Sequence, residues 1–201
     1  MKKKILNAAL AEFLTHGMRD TSIQKLADIL GISTKTFYKF FKNKQQILEE
    51  AIDIWLGNQY KKLSQWPDAQ NAVCRLFDIC FSMAYTYFNA NPVFFHDVNY
   101  YFPALAEKMD VTNNQILGNE LTRIIKTGMK EGTIRPDIIP DVALKGIFVL
   151  HNAITREEAF RNLGFSVNIL LLNTLNIFIK GICTNDGLRI LDEYIAVSDY
   201  R

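Results

Sequence analysis

The sequence is short of several things, and each shortage closes off a class of protein. It has three cysteines, Cys74, Cys80 and Cys183, in 201 residues. An odd count without C-x-x-C spacing, set in apolar helical stretches, makes neither a disulfide framework nor a thiolate zinc site. Buried, reduced thiols are expected; the alternative, a redox sensor, needs a depressed thiol pKa and exposure. Five prolines and ten glycines without a period exclude a fibre. No apolar run reaches the roughly 18 residues of a membrane helix. The stretch 169–179 comes nearest, but Asn173, Thr174 and Asn176 interrupt it, so no membrane partner is expected. His96 and His151 belong to no H-x-x-x-H pair and no cysteine completes a set, so no metal site is expected. G-x-S-x-G, G-x-G-x-x-G, a P-loop and H-E-x-x-H are all missing, so neither an enzyme nor a cofactor is expected.

What is present is apolar and unevenly charged. Hydrophobic residues make up 49% of the chain and aromatics 12%, against 22% charged, which suits a globular protein with a sizeable core. Residues 1–48 hold nine Lys and Arg against three acids, for +6, whereas the remainder holds 14 against 18, for −4. A basic front on an acidic body points to a polyanionic partner at the N-terminal end. Lys2-Lys3-Lys4 before Ile5-Leu6 imitates a secretory signal, but Glu12 and His16 interrupt the apolar stretch and no small-x-small cleavage site follows. Ile5, Ala9 and Phe13 recur every four positions instead, as on one helix face, and a cytoplasmic protein is expected.

Nearly every segment has a 3.6-residue period, which makes the chain all-α. The spacing predicts helices over 2–16, 22–30, 34–41, 44–64, 71–89, 92–108, 111–131, 139–156, 166–181 and 185–196, with 157–165 as a connection. Thr21-Ser22-Ile23-Gln24 reads as a capping box, with the Thr21 hydroxyl accepting from the Gln24 amide. Ile23, Leu26, Ala27 and Leu30 share a face, Gly31 sits where a left-handed residue ends a helix, and Ser33 can cap the next. Small Ala27, the Gly31 turn, and Ile32 with Phe37 in the wedge give the spacing of a helix-turn-helix. The second helix buries Phe37 and Phe41. Its other side carries Thr34, Lys35, Thr36, Tyr38 and Lys39, donors suited to phosphates and to major-groove acceptors of double-stranded DNA.

These residues resemble the N-terminal domain of the TetR family of transcriptional regulators. The likeness runs from Ile5-Leu6-Asn7-Ala8-Ala9 through Phe13, Gly17 and Thr21–Ala27 to Leu30–Lys44 and Leu48. A weaker resemblance, Gly128–Asp137, is similar to the family's turn between its seventh and eighth helices. The likeness implies an N-terminal three-helix DNA-binding domain over 1–47 and a helical-bundle ligand-binding and dimerisation domain over 48–201. It implies a homodimer on a palindromic operator with half-sites about 34–36 Å apart or a multiple of that. By position, Gln24, Ser33, Thr34, Lys35, Thr36, Tyr38, Lys39, Lys42 and Lys44 are the expected DNA-facing residues, Lys44 at a helix start suited to a phosphate. The family often has His or Tyr where this chain has Phe40, which cannot donate to a phosphate, and Gly or Ala at the place of Lys35.

In the body, aromatic rings are mixed with polar groups, His96, Asn99, Tyr85, Asn114, His151 and Asn152, as in small-molecule pockets. Packed rings alone would also account for them. The resemblance implies an apolar or aromatic effector, with Phe81, Tyr85, Phe95, His96, Asn99, Tyr100, His151 and Asn152 as candidate contacts. The segments 141–156 and 166–181 are apolar around much of their circumference. Burial inside one chain would satisfy them; the family's pairing of such helices with their twofold mates implies a dimer face with Phe148, Ile169, Leu172, Asn173, Asn176 and Ile177. The expectation is a ligand-responsive repressor, with a constitutive dimeric DNA-binding protein as the alternative.

Overall fold

The computed structural model describes residues 1–63, 71–156 and 158–198. Position 64 of the expected fourth helix, Glu157 of the expected connection and the Asn114 side chain lie outside the described residues. The helices are α1 (Lys2–His16), α2 (Ile23–Leu30), α3 (Thr34–Tyr38), α4 (Lys44–Leu63), α5 (Ala72–Asn89), α6 (Pro92–Tyr101), α7 (Pro103–Lys130), α8 (Pro140–Arg156), α9 (Glu158–Arg161), α10 (Val167–Leu172), α11 (Leu175–Ile182) and α12 (Asn185–Val197). Among the described residues there is no strand, only an isolated bridge between Ile134 and Cys183.

Four expectations are corrected. The break expected at 109–110 falls instead at Phe102–Pro103: proline lacks an N–H and keeps Phe102 out of the helical region, at φ −135 and ψ 57. The single helix expected over 166–181 is two. Asn173 Nδ2 donates to the Ile169 carbonyl at 2.8 Å and Thr174 Oγ1 to the Leu170 carbonyl at 2.6 Å, so side chains compete with the helical ladder where it breaks. The α9 turn lies within the span read as a connection. Finally, Ser22, not Thr21, caps α2: its hydroxyl accepts from Lys25 N at 3.0 Å, whereas Thr21 is fully buried and donates to the Gly17 carbonyl at 2.9 Å.

The chain forms two compact units. Unit 1 comprises residues 1–62 and 90–113, and thus α1–α4, α6 and the start of α7. Its core includes Ile5, Ala9 and Phe13 of α1, with the four-residue spacing noted in the sequence, against Leu26, Ala27, Phe37 and Ile47. Each fully buried Leu or Phe of this kind stabilises by roughly 1.5–3 kcal/mol. Trp55 of α4 meets Phe94 edge-on at 6.4 Å and Phe95 at 6.3 Å.

Unit 2 comprises residues 63–89 and 114–201. Helix α5 is buried from Ala72 through Phe81, and α8, α10, α11 and α12 all pack against it. Such a helix must be apolar on every side, and its few polar residues are matched within the core. Arg75 pairs with Glu120 at 2.8 Å, and Tyr194 donates to Asp78 at 2.7 Å. The start of α12 approaches the Gly132–Ile134 turn so closely that a Cβ on Gly187 would stand 2.0 Å from the Thr133 carbonyl oxygen.

Candidate nucleic-acid interface and effector body

The helix-turn-helix is built by caps. Gly31 adopts φ 62 and ψ 34, the left-handed turn that a side chain would disfavour, and Ile32 N closes back on the Ala27 carbonyl at 3.0 Å. Ser33 Oγ then accepts from Thr36 N at 3.2 Å and meets Thr36 Oγ1 at 3.0 Å, which starts α3. Asn43 Oδ1 accepts from Gln46 N at 2.9 Å while Gln46 Oε1 accepts from Lys42 N at 2.8 Å, a reciprocal cap on α4.

On α3 and the turn after it, Phe37 and Phe41 are buried, whereas Lys35, Tyr38, Lys39 and Lys42 are exposed, Tyr38 to 58%. None of these three lysines pairs with a carboxylate among the described residues. An unneutralised cationic face can release counterions from a duplex on binding. Thr34 and Thr36 are half-buried. Gln24 is exposed, but its amide is held by Asp28 Oδ1 at 2.8 Å, and Lys25 by Glu12 at 2.7 Å. Lys44 is half-buried, with Nζ 3.5 Å from the Arg19 carbonyl. Burial lowers its pKa, and the charges of Asp97 and Asp20 oppose the shift. Phe40 is half-buried.

The candidate effector residues divide between the units. Phe95, His96, Asn99 and Tyr100 are in unit 1; Phe95 is buried, but the other three face solvent, His96 stacked on Tyr100 at 5.9 Å. Phe81, Tyr85, His151 and Asn152 are in unit 2, where Phe81 is buried against Phe77 at 5.3 Å, and Tyr85 and Asn152 are exposed. His151 meets Tyr87 edge-on at 5.2 Å. The residue is half-buried, but its Nε2 is sealed from solvent and makes no well-formed hydrogen bond among the described residues. Burial, then the charge of Arg156, pushes its pKa down to about 4, against hydrogen bonding from Asn152 and the Met83 backbone.

Of the candidate dimer residues, Ile169 of α10, Asn173 at the break and Ile177 of α11 are exposed. Phe148 and Leu172 are half-buried. Asn176 is 8% exposed and sits inside the protomer, and Asn173 spends its amide donor on Ile169. The cysteines are buried, free thiols raised by burial to about 11, 12 and 11 for Cys74, Cys80 and Cys183, the opposite of a sensor's requirement. Among the described residues no cluster of His, Cys, Asp and Glu could hold a metal, and no helix is long and apolar enough to cross a membrane. Sequence reasoning missed Asn91, Asp97 and Tyr101 of α6, which hold the end of α1. Partners some 76 to 82 residues away leave no local pattern.

Residues 5–51 match the family model described as bacterial regulatory proteins, tetR family. A curated relative, the HTH-type transcriptional repressor KstR2 of Mycolicibacterium smegmatis, is 26% identical over 151 residues, 73% of this chain and 73% of its own. Residues 5–51 are thus a TetR-family N-terminal segment, and the likeness to the repressor continues well beyond it. That segment and these relatives make the chain a DNA-binding transcriptional regulator. The solved ketosteroid transcriptional regulator KstR2 of Mycobacterium tuberculosis has the same fold, with TM-score 0.63 at 21% identity over 92% of this chain and 95% of that one. So does the transcriptional regulator FadR from Bacillus subtilis, solved in complex with stearoyl-CoA, with TM-score 0.69 at 17% identity over 90% of this chain and all of that one, 100%.

Proposed function

We propose that this TetR-family regulator is a cytoplasmic repressor that binds a palindromic operator as a homodimer and is released by a small apolar or aromatic effector. The single observation that carries the DNA half is the opposition of faces on α3: Phe37 and Phe41 inward, Lys35, Tyr38, Lys39 and Lys42 outward and unneutralised. In a twofold dimer, two such helices enter successive major grooves, with Thr34 and Thr36 beside them and Ser33 holding the N-terminus of α3. Gln24 and Lys44 then flank the groove. The functional boundary is drawn at 47/48, so that 1–47 reads DNA while 48–201 binds effector and pairs protomers.

The exposed Ile169 and Ile177, apolar side chains open to solvent beside Asn173, support pairing, with the half-buried Phe148 and Leu172 as further contacts. The effector reading rests on His151 of unit 2, packed edge-on against Tyr87, whose buried Nε2 makes no well-formed hydrogen bond among the described residues. The stearoyl-CoA complex of FadR supports a ligand with an apolar portion. Release requires that the effector bind the DNA-incompetent state more tightly; equal affinity for both states would shift nothing.

The test is selection of bound duplexes from random DNA, followed by a screen for compounds that release them. Lys35→Ala and Lys39→Ala should each weaken operator binding and lower the salt slope by about one. Unchanged affinity and slope in both variants would remove α3 as the reading face. If no compound raises the melting temperature or releases DNA, the body only dimerises.

A further inference from the structure

The link between α1 and α2 has no regular structure, yet it decides where the helix-turn-helix begins. Gly17 ends α1 at φ +80, and Thr21 fastens back to it two residues before α2. Helix α6 grips this link at successive points. Asn91 N donates to the Leu14 carbonyl at 2.7 Å and Asn91 Nδ2 to the Thr15 carbonyl at 2.9 Å. Val93 lies where a Cβ on Gly17 would fall, 2.8 Å away. Asp97 Oδ2 accepts from Met18 N at 2.9 Å and from Arg19 N at 3.0 Å. The Arg19 guanidinium then lies 5.5 Å from the Tyr101 ring centre.

Asp97 is only 2% exposed, and one of its oxygens takes both amides. Charge-assisted bonds of this kind are about twice as strong as neutral ones, and removing the acceptor leaves the buried Met18 donor stranded and frees the part-buried Arg19 amide. The helices on either side have their own apolar hold, through Phe13 and Leu26, so the carboxylate is not needed to keep α1 and α2 together. What it fixes is the path between them. The same link carries the Arg19 carbonyl that faces Lys44 Nζ, at the start of α4.

We propose that Asp97 is a positioning residue for DNA binding: by accepting from Met18 and Arg19 it sets the link from which α2 and the Lys44 ammonium are presented to the duplex. The proposal rests on the DNA face described above, and Asp97 itself touches no DNA. It acts through two backbone amides and one carbonyl.

The test uses the full chain and a duplex chosen by random selection. Asp97→Ala is expected to keep its helicity, to exchange the Met18 and Arg19 amides faster, and to bind the operator about tenfold or more weakly. Its salt slope should fall by about one as Lys44 drops out of register. Asp97→Asn keeps an oxygen acceptor and should recover part of both losses, which a general loss of stability would not produce. Wild-type affinity and slope in Asp97→Ala overturn the proposal, as does an affinity loss no larger than the fall in folded fraction. If Asp97→Ala does not fold, Asp97→Asn is decisive: weaker binding with a lower slope at wild-type helicity supports positioning, and wild-type binding refutes it. Lys35→Ala and Lys39→Ala measured alongside separate the two readings. If they bind normally while Asp97→Ala does not, the assigned face fails and the positioning role stands.

Discussion

Acidification from pH 7 to pH 5 should cost this protein roughly 2 kcal/mol through one side chain, His151. Its imidazole is pushed down to about 4 by burial and by the neighbouring Arg156 charge, from an ordinary 6.5. The folded-state value lies below the unfolded one, so the unfolded chain takes up a proton first. Stability is therefore intact above about pH 6.5 and drains away as pH falls toward 4, reaching roughly 3 kcal/mol lost at pH 4. For a chain of this size, about 2 kcal/mol corresponds to a melting temperature lower by some 4–8 °C. The assay is urea unfolding of wild type and His151→Gln at half-unit steps between pH 7 and 5. The variant has no imidazole to titrate, so its acid limb should be shallower by about 2 kcal/mol, while carboxylate titrations common to both cancel. Parallel acid limbs, or an NMR titration placing His151 near 6.5, would refute the reasoning.

Two further outcomes follow from close contacts and caps. Gly187→Ala would force a Cβ to within 2.0 Å of the Thr133 oxygen, so α12 must leave the Gly132–Ile134 turn. A loss of about 3 kcal/mol or more in urea unfolding is expected, and a near-neutral variant would show that this approach is looser than described. Ser22→Ala should cost about 1 kcal/mol by removing the α2 cap, and Thr21→Val a similar amount by stranding the Gly17 carbonyl. A neutral Ser22→Ala would return the cap to Thr21.

Local chemistry made the head legible. Ala27, Gly31, Ser33 and Phe37 act within a few residues of one another, and a turn, a cap and a buried ring each leave a fixed spacing in the chain. Helix ends depart from the apolar period where one local effect overrides it. Pro103 stopped a helix that the apolar pattern carried onward, and the Asn173 and Thr174 side chains broke one that hydropathy left whole. The candidate effector set was the least legible. Aromatic density marks a core as readily as a pocket, and the residues chosen from it fall in two different units, with His96, Asn99 and Tyr100 turned to solvent.

By itself, then, the sequence determined the helical class, the helix-turn-helix and the outward side of α3, because periods of three and four residues decide which way a helical side chain points. Only the tertiary structure decided that Asn176 is inside, that His151 is held neutral against Tyr87, and that a carboxylate at position 97 holds amides at 18 and 19. Those facts depend on which surfaces meet across some tens of residues of chain, and no spacing along the sequence records such a meeting.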